Sequence, residues 1–280
     1  MEYGLRIATP ESALKSHSDL FAMGWGSDAL RGLYPDALLT ALYFGSEFCQ
    51  ELLPGSSDTE TFCAHCAAQD LEAVLLTPIV THKGLGRIDR LLGSLTDRGW
   101  FPAVVFNDWG VLELIRKSYP CLPLRMGRLM NRGLRDPRIA MRAIGPGGEN
   151  TARGAGIRKL ATSLGVCAVE SDADLEPGYL GSGDDGLERA LHVPFTFVAS
   201  GRNCLEKAAF ASTSGGAFTR GLKSGCTAPC RGVYRREIRP DTDKQLWRAG
   251  NTLFFTAPQE WISRHLALAD RLVFHQQPMP

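Results

Sequence analysis

The chain has 280 residues, 44% of them hydrophobic and 22% charged, and its 31 Lys and Arg against 30 Asp and Glu leave a formal net charge of +1. That balance, without a long basic run, gives no electrostatic footprint for DNA, RNA or an anionic membrane surface. No window approaches the roughly 18 to 20 apolar residues of a spanning helix, and the N-terminus shows no basic segment followed by an apolar stretch of signal length. A cytoplasmic protein is expected, with residues 1–280 forming one domain.

Along the chain, short apolar β-rich runs alternate with segments of helical period, which is the pattern of βαβ units and a parallel sheet. Residues 38–44, 73–81, 102–107, 122–126, 167–170 and 195–200 read as buried strands. Between them, helices are expected over 58–71, with Phe62, Cys66 and Leu71 on one side, and over 85–95, with Leu85, Ile88, Leu91, Leu92 and Leu95 at helical spacing. Two more are expected over 108–119 and 151–164. No GxGxxG follows a strand, so the repeat favours a TIM-like (β/α) barrel, incomplete or irregular, over a doubly wound sheet. From about residue 231 the rhythm changes. A short β-hairpin of 232–238 with 252–256 is expected there, followed by a helix from Pro258, which suits a first turn, to about residue 274.

The active face of such a barrel lies at the C-terminal ends of its strands. Several polar residues follow the expected strands: Glu47 and Cys49, His82 and Lys83, Asn107 and Asp108, Arg128, Glu170, then Arg202 and Cys204. Asp108 is equally readable as the cap of the next helix, and Glu170 as part of an acidic run with Asp172, Asp174 and Glu176. Arg128, beside Gly127 and near Arg132, Arg135 and Arg138, has the fork geometry to bind a carboxylate or phosphate.

Eight cysteines in a reducing compartment are not evidence of disulfides. Cys226 and Cys230 bracket a three-residue gap in a Gly/Pro loop, and Cys204 follows Gly201-Arg202-Asn203. With Cys49 at the same mouth they make a four-thiol set, whose spacing suits zinc and iron–sulfur alike. Cys63 and Cys66 lie three apart on an expected helix with Phe62, where packing is the simpler reading, and Cys121 and Cys167 sit in or beside apolar runs. The usual signals of serine hydrolases, zincins and P-loop enzymes are absent.

Residues 41–49, 75–81, 104–115, 124–138, 193–204 and 225–230, within a span of about 38–235, resemble the collagenase-like peptidase family U-32. The similarity is greatest to its branch of UbiV-type iron–sulfur proteins of oxygen-independent hydroxylation. The resemblance implies an irregular TIM-like barrel holding a 4Fe-4S cluster on Cys49, Cys204, Cys226 and Cys230. It further implies a redox or hydroxylation step on a small or aromatic substrate, and a second protein of the same family as partner. On that reading Glu47, Asn107, Asp108, Arg128 and Glu170 are the candidate catalytic groups. The peptidase branch carries a cysteine motif after its Glu-bearing sixth strand, and none follows Glu170 here. An accessory subunit with a structural cluster or zinc, and a U-32-type peptidase, are the alternative functions.

Overall fold

A computed structural model describes residues 2–9, 12, 14–15, 19, 37–130, 151–174, 185–209, 215–216, 219–220 and 225–280. Eight parallel strands close into a barrel. They are β1 (Glu2–Arg6), β2 (Leu38–Gly45), β3 (Glu72–Leu76), β4 (Ala103–Phe106), β5 (Leu124–Met126), β6 (Val166–Asp172), β7 (Glu188–Val193) and β12 (Arg271–His275), which pairs with β1 to shut the ring. A second, antiparallel sheet of β8 (Phe195–Ser200), β9 (Arg235–Glu237), β10 (Leu246–Ala249) and β11 (Thr252–Thr256), in the order β8-β11-β10-β9, is threaded between β7 and β12.

The helices α1 (Ser56–Ala68), α2 (His82–Asp97), α3 (Trp109–Ser118) and α4 (Thr151–Ser163) follow β2, β3, β4 and β5, while α5 (Leu205–Ala209) and α6 (Gln259–Leu266) flank the second sheet. Period-2 alternation on the strands divides the apolar residues between two faces. Leu75, Val104, Phe106, Leu124 and Met126 point outward and pack with Ile88, Leu91, Leu92 and Leu95 of α2 and Val111 and Ile115 of α3. Ala41, Val74, Ala103, Ala190 and Val273 form a small-residue cluster on the other face. At residue 4 only glycine fits, since a Cβ there would collide with the Tyr43 ring.

The barrel closes fully, and the irregularity expected of it lies in the second sheet inserted between β7 and α6. Three of its strands, β1, β7 and β12, were unmarked in the sequence reading. The run 195–200 belongs to the second sheet, and the C-terminal helix ends at Leu266, with residues 271–275 forming the closing strand instead of its last turns. The expected hairpin also differs, because β10 lies between β9 and β11, and β11 pairs with β8. No helix among the described residues is long and apolar enough to cross a membrane.

The second sheet sits over the C-terminal mouth. Phe48, from the loop after β2, packs its ring against Phe197 of β8 and Phe254 of β11, with centroids 5.0 and 5.5 Å away. The Asn251 Nδ2 amide donates to Phe48 O at 2.7 Å, and the Thr196 hydroxyl to Ala173 O at 3.0 Å. The mouth is thereby roofed, and its polar groups are buried beneath.

Candidate functional site

The floor under that roof is built by loops leaving β2, β4 and β5. Arg128 is fully buried: Nη1 donates to Asp172 Oδ1 at 2.8 Å, Nε to Glu47 Oε1 at 3.1 Å, and Nη2 to Glu47 Oε2. Its guanidinium also lies 5.2 Å from the centroid of the Phe48 ring. Burial alone would lower the Arg128 pKa, but Glu47 and Asp172 more than reverse that, so the group is held charged. Asn107 fixes the loop that carries Arg128. Its amide donates to Thr77 O at 2.9 Å and its oxygen accepts Leu129 N at 3.0 Å, and a side chain at Gly127 would collide with it.

Asp108 caps α3, accepting Gly110 N at 2.7 Å, and also accepts Val80 N at 3.2 Å. Glu170 lies deeper in the barrel, bonded to Arg125 Nε at 2.6 Å and His192 Nε2 at 2.8 Å. Of the five expected groups, then, Glu47 and Arg128 meet directly, Asn107 supports them, and Asp108 and Glu170 serve separate networks. Asp172 was missed as a partner of Arg128, although its i+2 relation to Glu170 on one strand is a readable sign of a shared face. Arg125 and His192 were missed too. His82 and Lys83 are exposed in the first turn of α2, and Arg132, Arg135 and Arg138 lie outside the described residues.

The structure brings the four cysteines together. Cys49, in the loop after β2, Cys204, just before α5, and Cys226 and Cys230, in the segment before β9, all line one cavity of about 220 Å³. Phe48, Thr81, Arg202, Lys207 and Asn251 complete much of its wall. Cys204 and Cys230 are buried, Cys49 and Cys226 half-buried, and all four are free thiols. Burial pushes Cys49 and Cys230 each up to about 11, and the neighbouring cysteines add to the shift in both. Cys204 and Cys226 act on both Cys49 and Cys230, which places the four within electrostatic reach of one another.

Backbone N–H groups point at two of the sulfurs: Lys207 N lies 3.5 Å from Cys204 Sγ and Ala228 N 3.3 Å from Cys226 Sγ. Ala228 adopts φ 56° to make its turn, and a Cβ on Gly250, itself at φ +56°, would come within 3.0 Å of Cys230 Sγ. Among the described residues no three His, Cys, Asp or Glu side chains are gathered tightly enough for a single metal ion. As a donor set, however, four thiols around one cavity with amide donors at two sulfurs fit a thiolate-ligated centre, because thiolate is the ligand that such centres take and N–H groups aimed at sulfur stabilise its charge. Cys63 and Cys66 take no part. Both are buried in α1 against the barrel, and burial pushes Cys63 up to about 12.

No protein-family model and no curated protein matches the chain. Among solved structures it is similar to the U32 peptidase Mk0906, at 12% identity over 100% of this chain and 94% of that one, with a TM-score of 0.47. It is also similar to the immunomodulatory active chitinase TsES1 from Trichuris suis, at 9% identity over 98% and 91%, with a TM-score of 0.35. The barrel itself is defined by the strand pairing described above.

Proposed function

We propose that the chain is a cluster-binding barrel protein in which Cys49, Cys204, Cys226 and Cys230 hold a 4Fe-4S cluster. Its role would be an oxygen-independent hydroxylation or related redox modification of a small or aromatic substrate. The observation that carries this reading is that thiols from three separated segments line one cavity. Packing alone would not require sulfur at all four positions. When bound, such a cluster supplies one-electron transfer, at a potential set by burial and by hydrogen bonds to sulfur. The protein's own contribution is to hold the thiols and to shield them with Phe48 and Leu52.

Phe48 links the cavity to the floor, since it lines the one and packs on Arg128 of the other. Glu47, Asn107, Asp108, Arg128 and Glu170 enter the proposal as positioning groups, because each is bonded to other parts of the protein.

A second reading follows from the donor set itself. Four thiolates leave no open ligand position, which suits electron transfer or a structural centre, and hence an accessory subunit working with a second protein of similar fold.

The test is the iron, acid-labile sulfide and zinc content of protein purified without oxygen, with its visible spectrum, for the wild type and Cys49→Ala. Near-equal iron and sulfide, reduced by at least half in the variant, is expected. Zinc in place of iron would leave a structural centre. Peptide hydrolysis by metal-free protein would replace the redox reading altogether.

A further inference from the structure

Four arginines are buried among the described residues, and three of them are met by carboxylates. Arg125 is bonded to Glu170 and Glu188, Arg128 to Glu47 and Asp172, and Arg271 to Glu2, Glu72 and Glu188. The fourth, Arg6 at the end of β1, is only 4% exposed and has main-chain acceptors alone. Its Nη1 donates to Ile7 O at 2.6 Å and Tyr43 O at 3.4 Å, its Nη2 to Gly45 O at 2.6 Å, and its Nε–H meets no acceptor. Glu47 is near enough to favour its charge, but both oxygens of that carboxylate are bonded to Arg128, whose own charge opposes Arg6. A buried cation without a bonded counter-ion is costly, and burial accordingly pulls Arg6 down to about 10.

Arg6 lines a cavity of about 50 Å³ enclosed by Phe44, Leu52, Cys230, Val233 and Met279. At about 10–15 Å³ for each water molecule, this holds roughly three to five non-hydrogen groups, the size of a carboxylate with one or two carbons. Asp58 and Arg231 stand exposed at its rim with opposite charges, and residues 277–280 close its other side. Leu52 and Cys230 also wall the four-cysteine cavity, so the two spaces adjoin across these residues.

We propose that this cavity binds the carboxylate group of a small organic acid, which gives Arg6 the counter-ion that the fold does not supply. A guanidinium edge takes the two oxygens of a carboxylate by charge-assisted bonds. The assignment stands whether or not Cys230 holds a metal.

The full-length protein is titrated with formate, acetate, benzoate, chloride and phosphate at fixed ionic strength. Binding is read by thermal unfolding and by 13C line broadening of labelled formate. Saturable stabilisation by formate and acetate, not matched by chloride or phosphate, is expected. Arg6→Lys, which keeps the charge but loses the fork, should weaken binding about tenfold, as the loss of one charge-assisted bond implies, and Arg6→Met should abolish it. Benzoate binding as well would mean that the acid extends past the rim, and its rejection that only short acids enter; both agree with the assignment. Should Arg6→Met not fold, the Nε–H resonance of Arg6 in 15N-arginine-labelled wild type, identified by its loss in Arg6→Lys, must move on formate addition. Equal stabilisation by chloride or phosphate, undiminished binding in Arg6→Met, or an unmoved Nε–H resonance would overturn the proposal.

Discussion

His192 and His275 occupy the barrel interior with no exposure to water, their ring nitrogens 2.7 Å apart. The bonding fixes their state. His192 Nε2–H donates to Glu170, so its Nδ1 accepts the Nε2–H of His275, and a second proton on His192 would meet that donor head-on. Burial pulls His192 down to about 3 and His275 well below its ordinary value, with Arg128 and Arg6 opposing any added charge in both. Glu170 does not reverse this, because its charge already faces Arg125. Both folded pKa values lie below the unfolded value near 6.5, so the unfolded chain takes up protons first. Stability is complete above about pH 6.5 and falls as the pH drops from there toward 3. His192 should cost about 2 kcal/mol by pH 5, and His275 adds to it in the same direction. Urea unfolding at pH 7 and pH 5 measures this, and His192→Gln should remove roughly half of the difference; equal stability at the two pH values would mean that these rings are protonated in the fold. The same residues mark where the sequence was silent. Cysteine announces its chemistry by type, so the four-thiol set was legible, whereas Arg6, Arg125 and the two histidines take their meaning from facing inward across a closed ring.

At the scale of elements, what could be read was whatever buries apolar surface on a regular period. β2, β4 and α2 are of that kind, with continuous hydrophobic runs or a single clean stripe. β1, β7 and β12 were hidden because they carry charged or imidazole side chains: Arg6 on β1, Glu188 and His192 on β7, Arg271 and His275 on β12. Apart from Arg6, those groups satisfy one another, Glu188 with Arg271 and His192 with His275, and the usual apolar signature is diluted accordingly. The second sheet was legible as strands but not as a roof, since its role depends on Phe48 entering from a loop some 150 positions earlier in the chain. Phe48→Ala tests that role. The ring is 4% exposed and contacts both β8 and β11, so its loss should cost about 3–5 kcal/mol. Because Cys49 follows directly, the proposed cluster predicts that the variant also lowers iron retention after anaerobic purification. Normal iron content together with a loss of stability would confine Phe48 to packing.

The barrel as a whole depends on the pairing of its first and last strands. β1 pairs in parallel with β12 from Glu2 opposite Arg271 to Arg6 opposite His275, which joins positions 269 residues apart. The same seam is clamped by ions, as Arg271 bonds Glu2 at 3.1 Å and also reaches Glu72 of β3 and Glu188 of β7. Charge pairs set side by side at the N-terminal end of the strands thus connect four of the eight. A ring has no edges, so removing one strand does more than subtract its contacts: it exposes the unpaired backbone of both neighbours, here β1 and β7. Closure between such distant segments is slow to form and cannot be replaced locally. A chain ending at residue 270 should therefore show no single cooperative melt, and it should bind a dye for exposed apolar surface. The four-cysteine cavity should fail with it, because Cys49 is carried by the barrel and Cys204, Cys226 and Cys230 by the segment between β7 and β12, and the two halves of the site are held in register only while the ring is closed. A cooperative transition near the wild-type temperature in the shortened chain would show that the remaining seven strands suffice. The second sheet, not the β1–β12 seam, would then be what positions the thiols.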